Sequence, residues 1–158
     1  KKRTKKKIAP IDYQKNITVT SESSSKELIV KKDWYLITKD NKQQFKLDSN
    51  ASYEVLTRLI INEDLETPDN SKYYKLNAYE NNQRLASYIM EGNLSLANAK
   101  IKNNYNDLEG KLLSKYSSFF ISVPQTKNKG KKYSYYTFKL PKNSKDRVLV
   151  KILKYESK

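Results

Sequence analysis

The sequence predicts one α+β domain: a small N-terminal antiparallel sheet, three helices, a C-terminal β-hairpin and one extra strand. Three observations carry this expectation. Tyr53, Leu56 and Ile60 recur at helical spacing. Ala97, Ile101, Tyr105, Leu108 and Leu112 recur at intervals of 4, 4, 3 and 4. Short apolar, β-branched or aromatic runs stand on both sides of these stripes, as strands do. The 158 residues are the length of a single domain.

Lys1–Lys7 is a like-charge run and is expected to be unordered. Residues 20–26 form a polar, serine-rich linker, with Ile17–Thr20 before it either a short strand or irregular. Residues 1–25 therefore read as a basic arm and linker, and 26–158 as the domain. Glu27–Val30 and Trp34–Thr38 read as strands, Asp40-Asn41 as turn chemistry, and Gln44–Leu47 as a third strand. Asp48, Ser49 and Asn50 are helix N-caps, which opens a first helix over 50–62. Residues 63–71, acidic and containing Pro68, read as a loop, and Tyr73–Leu76 as a short strand. Asn77 with Glu80 resembles a capping box. It predicts a second helix that buries Leu85, Ala86 and Ile89 and ends at Gly92. Asn93 or Ser95 then caps a third helix reaching Leu113. Phe119–Val123 and Tyr133–Leu140 read as a hairpin across a basic loop, Pro141 closes it, and Val148–Tyr155 is the extra strand.

The order of three strands, a helix, a loop, two helices and a hairpin is that of a winged helix-turn-helix. The stretch "WYLITKDNKQQFKLDSNASYEVLTRLII" (34–61), with Leu47-Asp48-Ser49 ahead of Tyr53, Leu56 and Leu59, resembles the effector domain of OmpR-type response regulators. "LANAKIKNNYNDLEGKLL" (96–113) is similar to that family's recognition helix. The resemblance implies a DNA-binding module of a transcription or replication protein. In it the helix 93–113 occupies the major groove, and the wing 124–133 lies on the backbone.

Charge agrees with a polyanionic partner. Thirty-two Lys+Arg face 17 Asp+Glu, a formal net charge of +15. Residues 1–15 contribute +6 and residues 127–158 contribute +9, so the body between them is neutral. An AT-rich genome, enriching Lys, Asn, Tyr and Ile, is the plain alternative. The chain has no Cys and no His, which excludes disulfides, thiolate and histidine catalysis, and His- or Cys-ligated metals. An enzyme is not expected, nor is any cofactor or metal. No apolar run approaches a membrane span, and no apolar stretch follows the basic N-terminal run as a secretory signal would require. The expected location is intracellular, cytoplasmic in a bacterium and nuclear in a eukaryote.

The candidate DNA-binding residues follow from three basic or polar clusters. On the third helix Asn98, Lys100, Lys102, Asn103 and Asn106 face outward, where Asn reads adenine and Lys reads guanine or phosphate. In the wing Lys127, Lys129, Lys131 and Lys132 precede Tyr133, and in the arm Lys5, Lys6 and Lys7 would follow phosphates. Each cluster also fits an ordinary solvated face. Double-stranded DNA is the expected partner. A winged-helix protein-interaction module, and a single-strand or RNA binder using a tyrosine-rich sheet, are the alternatives, and a protein partner or homodimer is compatible with the sequence. The acidic residues Glu63, Asp64, Glu66 and Asp69 lack the glycine a hard-cation loop uses and read as a solvated loop.

Overall fold

The computed structural model describes residues 4–12, 16–22, 25–61, 71–93, 99–102, 106–124 and 132–156. Among them are twelve strands and no α-helix; the one helical element is a 3-10 turn, Asn106–Leu108. The strands are β1 (Thr4–Ile8), β2 (Ile17–Glu22), β3 (Leu28–Ile37), β4 (Gln43–Asp48), β5 (Ala51–Leu59), β6 (Ser71–Glu80), β7 (Gln83–Asn93), β8 (Ala99–Ile101), β9 (Leu112–Leu113), β10 (Ser117–Val123), β11 (Tyr133–Lys139) and β12 (Val148–Glu156).

Two antiparallel sheets pack face to face. One runs β10-β5-β12-β3-β2-β8-β9, with β1 added to β12; the other runs β4-β11-β6-β7. Strand β5 shows why these residues choose a sheet. Tyr53, Val55, Thr57 and Leu59 alternate and are all buried against the second sheet, while Glu54, Leu56 and Arg58 point to the opposite face and are half-buried. The space between the sheets is filled by Tyr35, Phe45, Tyr53, Val55, Leu76, Tyr136, Phe138, Val150 and their neighbours. Phe138 lies edge-on to Phe45 at 6.0 Å between ring centres, and each such fully buried side chain contributes about 1.5–3 kcal/mol by leaving water.

The first sheet also closes on itself. Past β5, Ile60 bridges Leu113 of β9, Ile61 N–H donates to Leu112 O at 2.9 Å, and Leu59 N–H donates to Ser114 Oγ at 2.9 Å. The hydrogen-bonded ring β5-β12-β3-β2-β8-β9 thus returns to its start as a small barrel. Its interior is a second apolar core of Ile17, Val19, Trp34, Ile60, Ala99, Ile101, Leu108, Leu113 and Leu149. Strand β5 is therefore covered on both faces.

These facts replace the α+β winged helix-turn-helix. The stripe expected as a first helix at 50–62 is β5. The second expected helix is the β6–β7 hairpin, turning on Asn81 and Asn82 with φ of 49° and 70° and closed by Glu80 opposite Gln83. Two consecutive residues of positive φ make the type I′ turn whose twist suits a hairpin, and asparagine tolerates it. Leu85 and Ile89, expected to be buried, are exposed. The third expected helix is β8, the 3-10 turn and β9; Ile101, Leu108 and Leu113 enter the barrel from three different elements. The hairpin expected across 119–140 does not form either, because β10 pairs with β5 in one sheet and β11 with β4 and β6 in the other. Part of the basic arm, Thr4–Ile8, is a strand on β12. The acidic stretch 63–69 lies outside the described residues.

Candidate functional site

The mouth of the barrel is a basic, aromatic pocket of about 430 Å³. Its origin is a fork in the first sheet. On one edge, β12 pairs with β3 only through Val150, opposite Tyr35, and with β1 only from Ile152, opposite Ile8. Lys151 falls between the two. The fork opens because β3 bulges where its pairing with β2 skips from Lys31 to Trp34, and Asp33 takes a left-handed φ of 70°. Asn16 holds that bend: its Oδ1 accepts from Asp33 N–H at 2.6 Å and its Nδ2 donates to the Asp33 carboxylate. Lys7 Nζ reaches the same carboxylate at 2.6 Å. The hydrogen bond from Lys7 first, then that from Asn16, hold the Asp33 carboxyl below its ordinary range against the opposing effect of burial.

Five cations line the pocket. Lys5 and Lys7 come from β1, Lys31 from β3, Arg58 from β5 and Lys151 from β12. Lys5 approaches Glu54 at 3.6 Å and the Tyr155 ring at 5.2 Å from its centre, so the two β1 lysines are matched by carboxylates. Among the described residues, Lys31, Arg58 and Lys151 form no ion pair. Lys151 is the most enclosed of these, 7% exposed, with Nζ 4.9 Å from the centre of the Trp34 ring. Burial first, then the charges of Lys7, Lys31 and Arg58, push its amine down to about 8 despite the opposing pull of Asp33.

Arg58 lies between two rings, its Cζ 5.5 Å from the centre of Trp34 and 5.6 Å from that of Tyr116. Its Nη1 donates to Ser114 O at 2.9 Å, which anchors the guanidinium to the strand that closes the barrel. Burial lowers its basicity. Arg58 Nε and Trp34 Nε1 are buried donors without an acceptor among the described residues. Ile29, Leu56 and Leu153 form an apolar wall, and Tyr116, 51% exposed, stands at the rim. The pocket thus combines unmatched positive charge, surplus donors and an apolar side, and its size suits a small ligand.

Of the residues singled out in the sequence, the structure brings only Lys5 and Lys7 to this pocket. Lys6 lies between them on β1 and is exposed. Lys100, exposed on β8, and Lys102, whose N–H donates to Thr18 O at 2.9 Å, belong to the far part of the barrel rather than to a helix. Asn106 begins the 3-10 turn. Tyr133 opens β11 of the second sheet, and Lys132 immediately precedes it. The carbonyl of Lys132 accepts from Ser49 N–H at 2.8 Å, and the Tyr133 ring carries Lys46 Nζ 4.0 Å from its centre. Asn98, Asn103, Lys127, Lys129 and Lys131 lie outside the described residues. Sequence reasoning missed Lys31, Arg58, Lys151, Trp34 and Tyr116. A signal for two of them was present: Arg58 in "VLTRLII" and Lys151 in "VLVKIL" are single cations inside apolar runs. Among the described residues no cluster of three acidic side chains is placed to hold a metal, and no helix is long and apolar enough to cross a membrane.

No family model and no curated protein matches the chain. Solved structures with a similar course include the CBM36-1 domain of a multidomain xylanase from the hindgut metagenome of Trinervitermes trinervoides. It is 9% identical, with a TM-score of 0.42 over 99% of this chain and 98% of that one. The ANX2 ectodomain from Arabidopsis thaliana is 13% identical, with a TM-score of 0.36 over 75% of this chain and 30% of that one. With no helix among the described residues, the recognition helix and the DNA-binding reading built on it fall away.

Proposed function

We propose that the protein is a non-catalytic binding module whose barrel-mouth pocket takes a small organic anion. The ligand carries a carboxylate, phosphate or sulfate on a body with an apolar or planar face. The observation that carries this reading is Lys151, a cation enclosed in a pocket with no carboxylate partner among the described residues. A buried charge without a counter-ion costs several kcal/mol, and a ligand anion offsets that cost where the protein does not. Lys31 and Arg58 supply two further unmatched charges, and Tyr116 and Ile29 offer the surface for the ligand body.

The test is calorimetric titration of the protein with sulfate, with phosphate, and with matched organic pairs such as gluconate against glucose. Anions are expected to bind and their neutral partners not to. Lys151→Met is expected to weaken anion binding at least about tenfold, the value of one charge-assisted hydrogen bond. Equal heats for anionic and neutral partners, or unchanged affinity in Lys151→Met, would overturn the reading.

A further inference from the structure

We propose that the Lys151 amine is a nucleophile that captures carbonyl-bearing organic anions as an imine, while Arg58 and Lys31 hold the anionic group beside it. This inference rests on the anion-binding reading and names its ligand class: 2-oxo acids and aldehydes that also bear a carboxylate or phosphate.

The geometry separates Lys151 from the other lysines among the described residues. Its side chain is enclosed by the pocket at the fork between β3 and β1, with the Trp34 ring on one side and Leu56 its neighbour across the β5 ladder. The charged groups facing it are Lys7 from β1, Lys31 and Asp33 from β3, and Arg58 from β5. Asp33 is occupied by Lys7 and Asn16. The surroundings of the amine are therefore cationic and poor in water, which favours its neutral form. A pKa of about 8 leaves roughly a tenth of the amine neutral at pH 7, against about one part in 2,500 for an exposed lysine near 10.4. Lower basicity takes back part of that gain in nucleophilicity, leaving an advantage on the order of tenfold. The same cations that depress Lys151 stand ready for a carboxylate or phosphate on the incoming molecule, so one pocket both positions the anion and supplies the free amine.

The step balances without a further reagent. The Nζ lone pair attacks the carbonyl carbon, and the carbonyl π pair moves to oxygen. A proton passes from nitrogen to that oxygen, and the hydroxyl then leaves as water while the second N–H proton is lost and the C=N bond forms. One neutral amine and one carbonyl give one imine and one water, with no change of oxidation state.

The experiment exposes the folded protein to glyoxylate at pH 7 with cyanoborohydride, which reduces an imine to a stable carboxymethyl amine, and locates the label by peptide mass mapping. The expected result is labelling at Lys151 about tenfold or more faster than at any other lysine side chain. Sulfate is expected to suppress it. Lys151→Met, with its fold checked by circular dichroism and its melting curve, is expected to show only slow labelling spread over exposed lysines. Labelling spread evenly in the parent, with Lys151 no faster than the rest, would overturn the inference. A parallel titration with sulfate tells the two readings apart. If sulfate binds and Lys151 is not preferred, the imine alone is wrong; if neither glyoxylate nor sulfate engages the pocket, the anion reading falls with it.

Discussion

Replacing Lys151 with methionine is expected to stabilise the protein at neutral pH. Methionine keeps the length of the side chain and removes a charge that the fold holds out of water with no ion pair among the described residues. The magnitude follows from the amine itself. Its pKa falls from 10.5 to about 8 on folding, and at 1.36 kcal/mol per unit the charged form costs the folded state about 3 kcal/mol. The sign is fixed by proton counting. Below pH 8 both states carry the proton and the full cost is present. Between about pH 8 and 10.5 the unfolded chain binds more protons than the folded one, so stability rises with pH and the cost is relieved. Lys151→Met should therefore gain up to about 3 kcal/mol at pH 7, a rise in Tm of about 6–12 °C for a chain of this size. The gain should shrink toward zero near pH 10.5. The assay is urea unfolding of parent and variant at pH 7, 8.5 and 10, with the difference read at each pH so that other titrating groups cancel. A variant no more stable than the parent at pH 7, or two parallel pH curves, would refute the argument that Lys151 is a strained cation. A stabilised variant that no longer binds anions would show that the pocket trades stability for binding.

Three further outcomes are expected. Asn82→Val places a β-branched residue at φ 70° in the β6–β7 turn and should cost about 1–2 kcal/mol in urea unfolding, while Asn82→Gly should be neutral or slightly stabilising. Asp33→Ala removes the partner of Lys7 and Asn16 at a left-handed position and should cost about 2 kcal/mol at pH 7. Because the folded carboxyl titrates below 3.8, its electrostatic part is present above that pH and disappears as pH falls through the folded value, so unfolding at pH 7 and pH 2.5 should show a smaller difference at the lower pH. Phe138→Ala opens a cavity among Phe45, Phe119 and their neighbours, where Phe138 is fully buried, and should cost about 3–5 kcal/mol by calorimetry.

On the proposed reading, the barrel mouth gives the basic composition a use that differs from a phosphate-following surface. Lys5 and Lys7 are drawn into ion pairs with Glu54 and Asp33, whereas Arg58 and Lys151, without such partners among the described residues, are the more enclosed cations of the pocket.

The amino-acid sequence by itself determined the strands whose one face meets water or whose ends carry turn residues. The strands read at 44–47, 133–140 and 148–155 coincide with β4, β11 and β12 to within a residue, the two strands read at 27–30 and 34–38 are the single strand β3, and the turn expected at Asp40-Asn41 lies between β3 and β4. It also determined the absence of thiol and imidazole chemistry and the excess of positive charge. Only the tertiary structure decided the remainder. Strand β5 is packed by one core through Tyr53, Val55 and Leu59 and meets the other through Leu56 and, just beyond it, Ile60. Leu56 and Ile60 belong to the second core while Tyr53 belongs to the first, so apolar residues from the two faces of the strand together fall at helical intervals although burial itself alternates. Of the stripe read between 97 and 112, Ile101 and Leu108 enter the barrel from two separate short elements, Leu112 packs against the other core, and residues 97 and 105 lie outside the described residues. Asn77 and Glu80 imitated a capping box, but Asn77 is a strand residue whose Oδ1 accepts from Ser87 and Arg84 across the β6–β7 pair, and Glu80 closes the hairpin opposite Gln83. The pocket was illegible for a different reason: residues 5, 7, 31, 58 and 151 lie on four strands, and only hydrogen-bond register and the bulge at Asp33 bring them to one place. Local sequence encodes which residues leave water, but which face of a strand is covered, and by what, is set by the packing of segments remote along the chain.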